Sequence, residues 1–159
     1  MNEIEKVKKL AVDLRTGYPR SPRTLLGGYV IAARALDKCR AEILGWQGEY
    51  HYACPLSHYF LDFACINDQI FKEFVATGAT DAEVAEWIAK NALAREAVEI
   101  VLWNNSWRDK RISELSEGTQ LFLEKYIKDT LPPHSRPYTL FDVYDIEEKR
   151  LPSLIALSD

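Results

Sequence analysis

The stretch from Tyr29 to Leu44 constrains the fold more than any other. Ala32, Ala35, Leu36, Cys39 and Ile43 recur at helical spacing and share one face, while Arg34, Asp37, Lys38 and Ala41 fall on the other. Gly45 follows as a stop. Such a segment forms a helix whose apolar stripe must be buried against other helices. The stripe predicts Cys39 as a small core residue, and Arg34 and Lys38 as a solvated face partly balanced by Asp37.

The rest of the chain has the same character. Ile4, Val7, Leu10 and Ala11 suit a short helix over residues 2–12, ended by Gly17 and Pro19. Ser21-Pro22 reads as a cap and first helical position, and Gly27-Gly28 interrupts the pattern without completing a phosphate-binding fingerprint. Pro55 opens a helix to about Ile66 with Leu56, Tyr59, Phe60, Phe63 and Ala64 inward. Asn67 caps a helix with Ile70, Phe71, Phe74 and Val75 inward, and Thr80-Asp81-Ala82-Glu83 is a capping box opening the next. A helix from Ala94 to about Asp109 carries Ala97, Ile100, Val101, Asn104 and Trp107 in one stripe. Ser116 caps a helix to about Thr130 with Leu121, Phe122, Tyr126 and Ile127 inward, and Thr139 with Asp142 caps a last one reaching about Arg150. Glu49 to Tyr52 suits extended backbone but has no partner strands of comparable quality. The expectation is an all-α protein of about seven or eight helices in one domain over residues 1–159, with the tail after residue 151 loosely packed.

Composition narrows the function classes. The chain has 159 residues and a net charge of −4 with both signs mixed, which argues against a nucleic-acid partner. No apolar run approaches the roughly 20 residues of a membrane span. Cys39, Cys54 and Cys65 are odd in number, widely spaced and form no CxxC pair, which points to a reducing, cytoplasmic setting. No P-loop, HExxH or Ser/His/Asp signature is present.

Reactive side chains concentrate between Tyr50 and Asp62. Cys54 precedes Pro55, so it caps a helix whose N-terminal field favours thiolate, and His51 lies three residues earlier. A Cys–His pair is the minimum for nucleophilic catalysis; the other reading makes Cys54 a structural cap and His51 a donor of one hydrogen bond. Capping predicts that Cys54 reacts faster than Cys39 and Cys65, which are expected in a core or on a helix body. Cys54, His58 and Asp62 do not converge on one metal, because positions eight apart lie roughly 12 Å apart along a helix. No metal or other cofactor is expected; if a metal were bound, His51, His58 and Asp62 would hold it, with His134 a further candidate.

Arg20 and Arg23, with Arg34, Lys38 and Tyr52, make a candidate site for a small anionic ligand. The competing reading pairs this basic loop with Asp142, Asp145, Glu147 and Glu148 near the other end of the chain. Four Trp and eight Tyr raise a further alternative, a non-enzymatic protein-interaction or adaptor module.

Several phrases carry a family resemblance. Arg20-Ser21-Pro22-Arg23, Leu26-Gly27-Gly28-Tyr29, Asp37-Lys38, Gly48-Glu49-Tyr50-His51-Tyr52 with Cys54-Pro55-Leu56, Leu61-Asp62-Phe63, and the closing Phe141 to Glu148 with Arg150 occur in order over nearly the whole chain. The chain resembles the bacterial domain-of-unknown-function family 5069. The resemblance brings no reaction or ligand with it. The family typically has an acidic residue where this chain has Ser57, and its members need not carry His58, whereas His51 and Cys54 fit its pattern.

Overall fold

The computed structural model describes residues 1–132, 137 and 139–151. Among the described residues the protein is all-α, with eight α-helices, one 3₁₀ turn and no strand. The helices are α1 (Glu3–Leu10), α2 (Ala32–Leu44), α3 (Pro55–Ala64), α4 (Asp68–Val75), α5 (Asp81–Asn91), α6 (Ala97–Arg108), α7 (Glu117–Thr130) and α8 (Leu140–Glu147). The 3₁₀ turn covers Ile112–Glu114. No described helix is long and apolar enough to cross a membrane. His134 and the tail beyond residue 151 lie outside the described residues.

Caps explain most boundaries. Asn2, Thr80 and Thr139 form capping boxes with Glu5, Glu83 and Asp142. Asn67 and Ser116 cap α4 and α7 through single side chains, and Cys54 caps α3 by accepting from the Ser57 N–H at 3.5 Å. The start of α2 departs from expectation by three residues. Leu26 and Tyr29 exchange backbone hydrogen bonds of 3.1 Å around Gly27 and Gly28. Those glycines sit at φ of 59° and 88°, the conformation a two-residue turn of this hand requires. Ile31 then takes φ of 73°, held by donating its N–H to the Pro22 carbonyl at 2.8 Å while its own carbonyl accepts the Ala35 N–H. A β-branched residue at positive φ is strained.

Contacts divide the chain into two compact units, Met1–Val101 and Leu102–Asp159. The first is arranged around α2, which packs on α1, α3 and α4. Every residue of α2 from Ala32 to Ala41 is buried. The expected solvated face of α2 is therefore not solvated: Arg34, Asp37 and Lys38 are each 3% exposed and Arg40 is 2%. Periodicity marks the apolar stripe correctly, but it does not reveal that other side chains cover the charged stripe. Charges are rarely buried without partners. Here Arg20 grips Asp37 through its backbone N–H, Nε and Nη2 at 2.9, 3.0 and 2.9 Å. Asp81 bridges Arg20 and Arg40 at 2.8 and 2.7 Å, and Arg40 also donates to the Ala79 carbonyl at 2.9 Å. Phe60 and Phe71 form the aromatic core of this unit with Tyr29, Tyr52 and Trp87 around them.

The buried face of α3 is also turned from the expected one. Leu56, Ser57, Phe60, Leu61 and Ala64 are buried, while Tyr59 and Phe63 are half-buried. In α4, Phe71 and Val75 are buried and Ile70 is exposed.

In the second unit the Leu140 N–H donates to the Lys110 carbonyl at 2.9 Å, and the Tyr126 hydroxyl donates to Glu147 at 2.6 Å. Arg150 reaches the buried carboxylates of Asp145 and Glu148 at 3.1 and 2.6 Å. The inward stripes expected for α6 and α7 are met in part. In α6 Asn104 is buried and Ile100 and Trp107 are half-buried while Val101 is exposed, and in α7 Leu123 is buried and Tyr126 and Ile127 are half-buried while Leu121 and Phe122 are 74% and 64% exposed. Among the described residues these helices bury a narrow side only.

Candidate functional site

The site begins with the order Tyr52, Ala53, Cys54, Pro55. Proline at the first helical position fixes the entry of α3 and removes one N–H that would otherwise lack a partner. The Cys54 sulfur then faces the remaining N–H groups of the first turn. The bend that buries Ser57 carries the sulfur onto α2, where Lys38 waits. Lys38 Nζ lies 2.8 Å from Cys54 Sγ and 3.4 Å from Ser57 Oγ. Ser57 Oγ is 3.6 Å from the sulfur. Cys54 itself is half-buried.

Electrostatics in this cluster favour the charged thiolate. Burial acts the other way and pushes the thiol up. The charge and hydrogen bond of Lys38, then the N–H and hydroxyl of Ser57, outweigh it and leave Cys54 below the ordinary thiol range. Cys39 presents the opposite case: buried in the core, its thiol is raised far above that range by desolvation. Cys65 is exposed at the left-handed C-cap of α3, with φ of 56°. The expectation that it lies in a core or on a helix body is thus corrected. One helix carries a cysteine at each end, in opposite ends of the helix field.

The other candidates take varied places. His51 is exposed and, among the described residues, is not a hydrogen-bond partner of Cys54. Tyr52 is 2% exposed, stacks on Phe71 and donates its hydroxyl to the Asp68 carbonyl at 2.8 Å. Arg20 is held by Asp37 and Asp81, so its fork is occupied within the protein. Arg23 is half-buried. Arg34 lies one turn from Lys38 along α2, donates to the Arg20 carbonyl at 3.3 Å and stands over the Tyr50 ring at 5.7 Å. His58 contacts Asp62 at 3.1 Å and Asp68 at 3.4 Å, and these carboxylates hold its imidazole above the ordinary histidine value, the Asp62 hydrogen bond foremost. No group of three or more metal-ligating side chains suited to an ion occurs among the described residues. A groove of about 340 Å³ lies elsewhere, lined by Lys6, Leu10, Gly78 and Glu83 among others, and none of the candidate residues borders it.

Sequence reasoning placed Lys38 among anion ligands but missed it as the partner of Cys54, and it missed the Ser57 hydroxyl beside both groups. Two signals bear on them: the charged stripe on an otherwise apolar helix, and a serine at the third position after a capping cysteine.

Fold and site together define a class: an all-α protein in which a buried lysine faces a helix-capping cysteine. The chain belongs to the family described as Domain of unknown function (DUF5069), whose profile matches residues 16–150. No curated protein matches the sequence.

Proposed function

We propose that this protein is a small-molecule-binding, enzyme-like protein whose site is organised on a Cys54 thiolate and whose ligand is a small anion with an electrophilic centre. The observation that carries this reading is the 2.8 Å approach of Lys38 Nζ to Cys54 Sγ with Lys38 only 3% exposed. A buried ammonium against a sulfur supports the nucleophilic form of the sulfur at neutral pH. Lys38 and Arg34, one turn apart on α2, supply positive charge for an incoming carboxylate or phosphate. Arg23 is kept as a further candidate for the same anion, whereas Arg20 acts from behind by fixing Asp37. In the reaction this reading supports, Cys54 Sγ forms a bond to an electrophilic carbon. The bond from that carbon to its leaving group breaks, and the leaving group departs with the electron pair. His51, exposed on the preceding segment, is retained as the solvent-side proton donor. Three free cysteines suit a reducing compartment.

The test compares two alkylating agents of equal size on the folded full chain, neutral iodoacetamide and anionic iodoacetate, with site-resolved mass spectrometry. The expected result is that the iodoacetate-to-iodoacetamide rate ratio at Cys54 exceeds that at exposed Cys65 by about tenfold, or 1.4 kcal/mol. Equal ratios at the two sites would remove the anionic-ligand reading.

Leu121 and Phe122, exposed on α7, favour a second reading as a protein-interaction module. That reading predicts self-association or a defined complex lost in Leu121→Ser with Phe122→Ser, measured by light scattering, with Cys54 alkylation unchanged.

A further inference from the structure

The arrangement of Lys38, Cys54 and Ser57 carries a consequence under oxidation. A thiolate meets peroxides more readily than a thiol, and Cys54 is half-buried where Cys39 is buried in the core. In most proteins the sulfenic acid so formed waits for a second thiol. Here the nearest nucleophile is an amine, 2.8 Å away and positioned by a buried helix. We propose that Cys54 and Lys38 form a reversible sulfur–nitrogen crosslink, a sulfenamide, when the protein meets a peroxide.

The chemistry closes on the residues present and one named oxidant. The Cys54 thiolate attacks the peroxide: an S–O bond forms, the O–O bond breaks, and hydroxide leaves and takes up a proton as water. The sulfur is oxidised by two electrons and the peroxide is reduced. The sulfur has now lost the negative charge that favoured the ammonium of Lys38 across this contact, so the amine releases its proton more readily than before oxidation. That proton passes to the sulfenic hydroxyl, and Ser57 Oγ, 3.4 Å from Nζ and 3.6 Å from Sγ, is placed to hold this hydroxyl. The lone pair of Nζ attacks sulfur, the S–O bond breaks, and water leaves. Loss of one further proton from nitrogen gives the neutral S–N link. A dithiol reductant restores both side chains: its first sulfur attacks Cys54 Sγ, the amine leaves and is reprotonated, and its second sulfur then displaces Cys54 from the mixed disulfide, releasing the oxidised reductant.

The crosslink would join α2 to the start of α3 and withdraw the nucleophile from use. It rests on the same thiolate as the function proposed above, as an oxidative control of that site. It does not require that any metabolite bind.

The experiment treats the full chain with stoichiometric hydrogen peroxide and reads intact mass and tryptic peptides. It uses wild type and a Cys39→Ala, Cys65→Ser background, in which no disulfide can form within the chain. The expected product is lighter by two hydrogen atoms, contains Lys38 joined to Cys54, and disappears on reduction with dithiothreitol. Lys38→Arg keeps a cation beside the sulfur but removes the amine, and it is expected to abolish the link and leave Cys54 gaining oxygen. If wild-type Cys54 gains one or more oxygens while Lys38 remains free, the inference is overturned. Oxidation confined to Cys65, with Cys54 untouched, overturns it as well. Wild-type peptide mapping keeps the test decisive should the cysteine-depleted background fold poorly. Failure of the crosslink with an intact iodoacetate preference at Cys54 would remove this inference and leave the proposed function standing. The reverse pair of results would do the opposite.

Discussion

At the residue scale, the reactivity of Cys54 depends on which group lowers its thiol. His51 is the neighbour in sequence; Lys38 is the neighbour in space. The two substitutions therefore separate cleanly. Lys38→Met is expected to slow alkylation of Cys54 at neutral pH by about tenfold, the equivalent of roughly one unit in thiol pKa. His51→Ala is expected to leave the rate within about twofold, because an exposed ring outside contact adds little through solvent. Ser57→Asp offers a converse test. It places a carboxylate beside Lys38, giving the ammonium a competing partner and the thiolate a like charge, so Cys54 should label more slowly and at higher pH. His58 supplies a pH prediction of opposite sign. Asp62 and Asp68 raise its folded value, so its contribution is fully present below the unfolded value of about 6.5 and is lost as pH rises through the folded one. The ring is more than a third exposed, so the effect stays well under about 1 kcal/mol. Proton NMR should find the His58 midpoint raised in wild type and lowered in Asp62→Asn; an unchanged midpoint would show that the contact is absent in solution.

At the element scale, α2 decides both fold and site. Asp37 is buried and accepts three hydrogen bonds from half-exposed Arg20. Breaking a buried pair costs about 3–5 kcal/mol, and the partial exposure of Arg20 brings the expectation for Asp37→Ala to about 2–3 kcal/mol in urea unfolding. A loss below about 1 kcal/mol would mean that the charged face of α2 is more solvated than described. Gly78 tests the turn between α4 and α5. It holds φ of 86°, and a methyl group there would overlap Lys6 Cβ. Gly78→Ala should therefore destabilise by about 1–3 kcal/mol through both strain and overlap. What the sequence made legible follows the range of the interactions. Capping by Thr80, Ser116 and Thr139 was readable because a cap is settled within four residues. So was the placement of Cys54 at the start of α3, since Pro55 marks that position. The burial of Arg34, Asp37 and Lys38 was not readable, because a charged stripe looks the same whether water or another side chain covers it. The strained Ile31 was hidden too, since no local rule places a β-branched residue at positive φ.

At the scale of the whole molecule, the chemistry is a product of tertiary structure. Lys38 and Cys54 are sixteen residues apart, on different helices, and no local preference brings them together. If residues 1–159 behave as one domain, calorimetry should show a single transition with equal calorimetric and van't Hoff enthalpies; two resolved transitions would mean that the two compact units melt separately. The most direct test of the central claim uses this dependence on the fold. The pH profile of Cys54 alkylation should be measured, peptide by peptide, in native protein and in urea-unfolded protein, for wild type and for Lys38→Met. A Lys38-held thiolate predicts a native wild-type midpoint well below the ordinary thiol value of about 8.5, a return to that value on unfolding, and a native Lys38→Met midpoint at or above it. Coincident native midpoints for wild type and Lys38→Met would contradict the account.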